Sequence, residues 1–206
     1  MRYKEILQKI PGHVRLVVVA KNRSWEEAQP VYDAGCRDFG ENRVQEALGK
    51  MKEAPPDVRW HLIGTLQKNK VAKAVGRFFL IHSVDTPELA EKISACAERQ
   101  GSVQPILLQV NTSDEESKQG LSAEAWERAF PSLLNLPGIA LRGLMTMAPL
   151  TDDEALIRGC FSRLRQLRDK LGLSELSMGM SQDYAIALEE GATLLRIGTA
   201  VFEKER

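Results

Sequence analysis

Short apolar runs recur along the chain, each followed by a stretch whose apolar positions return every three or four residues, a pattern that predicts strands alternating with helices. Val14 to Ala20 reads as the first strand, and Ser24 caps a helix from Trp25 to about Ala34, with Glu27 placed as in a capping box. Cys36 to Gly40 is a short second strand, followed by a helix over Val44 to Lys52. Trp60 to Ile63 is the third, leading to a polar, basic helix from Gln67 to about Val75. Phe78 to His82 is the fourth, after which Thr86-Pro87-Glu88 opens a helix with a cap and a proline in its first turn. Gln104 to Val110 is the fifth, a polar loop runs from Asn111 to Gly120, and a helix covers Ala123 to Leu133. Ile139 to Met145, Glu175 to Met178 and Thr193 to Ile197 complete the strands, separated by helices over Asp153 to Lys170 and Tyr184 to Glu190.

Eight such units predict an α/β fold with a parallel sheet, closed as a single (β/α)8 barrel of the TIM type; an open doubly wound sheet is the alternative. At 206 residues the chain is short for a barrel, which typically needs roughly 250, so its loops must be brief. No linker or low-complexity run divides it, and residues 1–206 are read as one domain.

Charge narrows the partners. With 28 Lys+Arg against 28 Asp+Glu, no global field recruits nucleic acid or an anionic membrane. No apolar stretch approaches the roughly 20 residues of a membrane span, and Met1-Arg2-Tyr3-Lys4-Glu5 lacks a secretory apolar region, so the expected location is the cytoplasm. Cys36, Cys96 and Cys160 are isolated and odd in number, which argues for reduced, partly buried thiols over a disulfide or zinc site.

Candidate chemistry sits at both ends of the chain. Lys21 ends the first strand, where partial shielding from water would make its amine more nucleophilic. Taken alone, it reads as the start of a solvated loop with Asn22 and Arg23; the segments near the other end tip the reading toward a site. Ser181, after the seventh strand, is expected to open a helix and present donors to an anion, and Gly198 with Thr199 repeats that arrangement after the eighth. In a closed barrel the first strand lies beside the eighth, and the loops after strands seven and eight are the usual phosphate site. An amine beside an anion grip suits a phosphorylated aldehyde.

Arg196 lies on an apolar strand and needs an acceptor: a ring nitrogen, a phosphate or a structural carboxylate. Asn42 either reaches a ligand from the second strand's end or caps the next helix, and Met145 either packs beside a planar ring or belongs to the core. His61, alternating with apolar residues, reads as a satisfied core histidine, and Lys68, Lys70 and Lys73 as a solvated helix face. The acidic run Asp114-Glu115-Glu116 lacks the spacing of a calcium loop, and no metal is expected.

Gly40-Glu41-Asn42-Arg43-Val44-Gln45-Glu46, His61 to Lys70, Gln109-Val110-Asn111, Ser113 to Lys118, Ser177 to Ser181 and Arg196 to Phe202, taken in order, closely resemble the pyridoxal-phosphate homeostasis protein family. The resemblance implies a barrel similar to the cofactor domain of alanine racemase, carrying pyridoxal 5'-phosphate (PLP) as a Schiff base. It matches Lys21 with the cofactor lysine, Ser181, Gly198 and Thr199 with phosphate-binding segments, and Arg196 with an arginine near the pyridine nitrogen. Asn42 lies in the family's second-strand motif. Around the lysine the family usually reads Ser-Lys-Thr, where this chain has Ala20-Lys21-Asn22.

Such proteins are carriers or regulators of the free cofactor pool, so the resemblance implies a monomer with client PLP enzymes as partners and no enzymatic turnover. The alternative is a PLP-dependent amino-acid racemase. That reaction needs a second acid/base opposite the lysine, and none of Tyr3, Tyr32 and Tyr184 sits at a strand end expected from the pattern. The chain also stops soon after strand eight, at Arg206, leaving no second domain to deliver one. A barrel binding some other phosphorylated metabolite would leave Lys21 unexplained.

Overall fold

The computed structural model describes residues 2–113, 115 and 119–202. A short helix α1 (Tyr3–Gln8) leads into β1 (Arg15–Val19), α2 (Trp25–Asp33), β2 (Asp38–Glu41), α3 (Val44–Lys50) and β3 (Arg59–Leu62). A 3-10 turn (Lys68–Lys70) runs into α4 (Val71–Ala74), followed by β4 (Leu80–Val84), α5 (Pro87–Arg99), β5 (Gln104–Gln109) and α6 (Ala123–Leu133). The remainder is β6 (Ile139–Met145), α7 (Glu154–Leu171), β7 (Glu175–Ser177), α8 (Tyr184–Glu189), β8 (Leu194–Ile197) and α9 (Thr199–Phe202).

The strands form a closed parallel barrel in chain order, β1 to β8, as the alternation predicted. Closure is made by β1 and β8, in the register Val17 to Arg196 and Val18 to Ile197. Strands covered on both faces favour continuous apolar runs, which is why β1 reads Leu-Val-Val-Val after Arg15 without alternation. Leu16 and Val18 point outward into the main core beneath the helices. Val17 points inward, into a separate cluster with Leu80, Leu107, Met145 and Leu194. Trp25 of α2 wedges edge-on against Phe39 and Trp60, with ring centroids 5.6 and 6.1 Å away.

Local signals fix the helix starts. Ser24 Oγ accepts from the Glu27 N–H at 3.2 Å, and Glu27 Oε2 accepts from the Ser24 N–H at 2.8 Å, so both arms of the capping box are made. Thr86 and Asp153 cap α5 and α7 in the same sense.

Several boundaries differ from the pattern. The second strand is Asp38–Glu41: Cys36 and Arg37 lie in the irregular connection after the turn at Gly35, and the strand's charged ends are buried against partners. The fourth begins at Leu80, not Phe78. In place of one helix from Gln67 to Val75 there is a 3-10 turn and a single α-turn; Gln67 makes no side-chain cap, and Val75 leaves helical geometry just before Gly76 at φ 75°. All three cysteines are free and buried. Among the described residues no cluster of ligands suits a metal, and no helix is long and apolar enough to cross a membrane. Asp114, Glu116, Ser117 and Lys118 of the acidic segment lie outside the described residues.

Candidate functional site

β1 ends at Val19, and Ala20 keeps the pairing by donating its N–H to the Gly40 carbonyl at 3.0 Å. Lys21 follows, and the chain then turns at Asn22 with φ 60°, the one non-glycine residue at positive φ among those described. Asparagine tolerates that conformation better than other side chains. The carbonyl of Ala20 is held by Lys50 Nζ at 2.7 Å, and the same ammonium pairs with Glu41, which is fully buried. Burial pushes the Glu41 carboxyl up, against the opposing pull of Lys50. A buried ion pair therefore anchors the residue immediately before Lys21.

The ends of β7 and β8 are stitched together by the Arg196 N–H, which donates to the Gly179 carbonyl at 2.9 Å. Gly179 has φ 92°, and a Cβ there would lie 2.6 Å from Ala187 Cβ and 2.8 Å from Leu195 Cδ2, so only glycine fits. Gly198 packs against Val19, whose carbonyl would be 3.3 Å from a Cβ at that position. The chain just before Lys21 thus abuts the turn after β8.

A solvent-open cavity of about 2040 Å³ occupies this end of the barrel, and Lys21, Asn42, Ser181, Arg196, Gly198 and Thr199 all line it. Six of the seven residues singled out in the sequence meet there. Met145 does not; it is fully buried in the inward cluster, because the inward-facing position at the end of β6 sits below the cavity. Met147, two residues further on, lines the wall instead.

Other details depart from expectation. Lys21 is exposed, not shielded, since β1 stops short of it. Ser181 does not open a helix: α8 begins at Tyr184, with Asp183 at its N-cap position. Both α8 and α9 are very short, so an anion here would meet the hydroxyls and amides of turns and little helix dipole. Asn42 does not cap α3, whose N-cap position is Arg43 with no side-chain bond. Its backbone is pressed against Gly64, where a Cβ would come within 2.4 Å of the Asn42 carbonyl oxygen, and this contact locks the ends of β2 and β3 together.

Arg196 is 4% exposed and has no carboxylate within ion-pair distance among the described residues. Nη1 donates to Ser177 Oγ at 2.6 Å, and Nη2 to the Thr146 carbonyl at 2.8 Å. Burial pulls its pKa down to about 10, countered by the more distant Asp183, so the guanidinium stays charged at neutral pH. His61 is the buried, doubly bonded histidine the sequence indicated, lying 2.9 Å from both Asp38 and His82. Sequence reasoning passed over Ser177, His82 and Asp38. The available signal was a polar residue on each of several otherwise apolar strands, which becomes informative only once the barrel brings them together.

The chain matches the family model described as alanine racemase, N-terminal domain, over residues 2–205. It is 40% identical over 199 residues to a pyridoxal phosphate homeostasis protein of Aquifex aeolicus, covering 93% of this chain and 87% of that protein. To the protein of the same name from Pseudomonas aeruginosa it is 42% identical over 197 residues, covering 93% and 85%. Among solved structures, PipY of Synechococcus elongatus PCC7942 with PLP bound superposes with a TM-score of 0.93 at 39% identity, covering 98% of each chain. An alanine racemase of Clostridium difficile 630 shares the fold with a TM-score of 0.83 at 15% identity, over 98% of this chain and 55% of the racemase.

Proposed function

Since the chain belongs to the pyridoxal phosphate homeostasis protein family, we propose that it binds pyridoxal 5'-phosphate and serves the upkeep of the cellular cofactor pool, without turnover of its own. The observation that carries this reading is the meeting of Lys21 with Ser181, Gly198, Thr199 and Arg196 on one cavity.

These residues fit the group. When bound, PLP supplies an aldehyde that an amine converts to a Schiff base with release of water, and a pyridine ring able to delocalise charge. Lys21 is the amine in this proposal, and its exposure lets it reach an incoming aldehyde. Ser181, Gly198 and Thr199 bind the phosphate through hydroxyl and backbone donors. Arg196 faces the ring nitrogen, as a buried cation lacking a carboxylate partner among the described residues can. An arginine at that position keeps the nitrogen unprotonated, which weakens the ring as an electron sink and favours storage over catalysis.

A two-base racemase would need a second proton carrier facing Lys21. Tyr32 donates to Asp57 at 2.7 Å on the surface, Tyr3 is buried against the barrel's outer wall, and neither they nor Tyr184 line the cavity. The proposal extends to a single-chain unit, since one chain provides all the residues named. It also places the protein in a reducing cytoplasm, in keeping with three free buried thiols, with client PLP enzymes as partners.

Borohydride reduction of the protein mixed with PLP, followed by peptide mass mapping, tests the reading. A single label on Lys21 is expected, and no label there would overturn it. Loss of optical activity from L-alanine that disappears in Lys21→Ala would favour the racemase.

A further inference from the structure

Ser177, His82, His61 and Asp38 belong to four different strands, yet their side chains touch in series across the inside of the barrel. Ser177 Oγ is 2.8 Å from His82 Nδ1, His82 Nε2 is 2.9 Å from His61 Nδ1, and His61 Nε2 is 2.9 Å from Asp38 Oδ1. At the cavity end Arg196 donates to Ser177; at the other, Arg59 grips Asp38 through two bonds of 2.9 and 2.6 Å, with Arg15 at 3.8 Å. Ser177 and both histidines are fully buried, so solvent offers no competing partner.

Counting protons gives the series a single sense. A guanidinium only donates, so Ser177 Oγ accepts from it. An ionised Asp38 only accepts, so a neutral His61 carries its proton on Nε2. That leaves His61 Nδ1 to accept from His82 Nε2–H, and His82 Nδ1 to accept the Ser177 proton. Burial draws both histidines below their usual value, which keeps them neutral as this count requires. Burial alone would push Asp38 up, but the bonds from His61 and Arg59 outweigh it and leave the carboxylate ionised. Each of the four contacts in the series then has one donor and one acceptor, from cation to anion. Bonds aligned in one sense polarise and strengthen each other, which couples the Asp38 carboxylate to Arg196 through neutral groups.

We propose that Ser177, His82, His61 and Asp38 are positioning residues for the bound cofactor, a one-way chain that fixes the Arg196 guanidinium in orientation and leaves its remaining N–H groups for the pyridine nitrogen. The inference rests on the cofactor reading above and adds to it the residues that set the electronic state of the ring. A purely structural arginine would need only an acceptor; this one is connected through three neutral side chains to a carboxylate held by a second arginine.

The test uses the full chain and PLP labelled with 15N in the ring, recording the ring-nitrogen resonance, the Kd for PLP, the borohydride label and the melting temperature of cofactor-free protein. In Ser177→Ala and His82→Phe, Lys21 is still labelled, the 15N resonance moves from its wild-type position, and Kd rises about tenfold, the effect of weakening one charge-assisted hydrogen bond. His82→Gln, whose amide accepts and donates in the same order, brings both readouts back toward wild type. Ser177→Ala removes one hydroxyl and covers the case in which His82→Phe does not fold. An unmoved resonance and Kd in Ser177→Ala, or equal changes in His82→Gln and His82→Phe, would overturn the proposal while leaving the cofactor reading intact. Unaltered protein that takes up no PLP overturns the cofactor reading, and this inference with it.

Discussion

Val17 and Arg196 are paired across the seam where the first strand meets the last, and this register sets Lys21 beside the turn at Gly198. Lys21→Ala should therefore abolish covalent retention of PLP while leaving the barrel intact. Because the side chain is exposed, the cost in stability should stay within about 0.5 kcal/mol. Visible absorbance after addition of PLP and a urea melt of the cofactor-free protein check both halves.

Ser181 and Thr199 offer hydroxyls from adjacent strand ends. The double substitution Ser181→Ala with Thr199→Val should raise the Kd for PLP by at least about tenfold, since each hydroxyl bonded to a phosphate contributes on the order of 1 kcal/mol or more. Equilibrium dialysis measures this directly, and unchanged affinity would remove the two residues from the anion grip.

Lys50 compensates a carboxylate with no access to water. Lys50→Met should destabilise the fold by about 3 kcal/mol, because Glu41 is left buried and unpaired. Pairing it with Glu41→Leu should recover part of the loss. The release of the Ala20 carbonyl should persist in the double variant, however, and slow the reaction of Lys21 with PLP. Denaturant melts and stopped-flow absorbance separate the two effects.

The buried histidines make stability depend on acidity. Burial holds His61 and His82 below the ordinary 6.5, so between that value and their lower folded values the unfolded chain binds protons that the barrel excludes. Stability should fall as pH drops below about 6.5, by up to ~1.4 kcal/mol per pH unit for each histidine. Asp38, lowered from 3.8 in the fold, adds loss in the same direction at more acid pH. Urea midpoints between about pH 7 and pH 5 should decline, and less steeply in His82→Gln; a flat profile would mean that the imidazoles take up protons in the folded protein as readily as in the unfolded chain.

The barrel was legible because its signals are local. Period, caps and turn residues mark each β/α unit, and α6 and β6 begin and end where the pattern put them. Boundaries slipped where tertiary partners override local preference, as at Glu41, a charged residue inside a strand because Lys50 reaches it from α3. Lys21, Asn42, Ser181, Arg196, Gly198 and Thr199 could be found as residues at strand ends. Met145 could not be separated from Met147, since the choice depends on where the strand stops relative to the cavity floor. The contact between His82 and Ser177 spans 95 positions and no periodicity encodes it.

The seam between the first and last strands has a temporal consequence. If Ser181, Gly198 and Thr199 grip the phosphate as proposed, a growing chain exposes Lys21 early, but that grip exists only after the eighth strand has docked beside the first. Firm capture of the ligand is then reserved for finished molecules, and by mass action it biases them against reopening. Retained cofactor is in that sense a record that assembly has been completed.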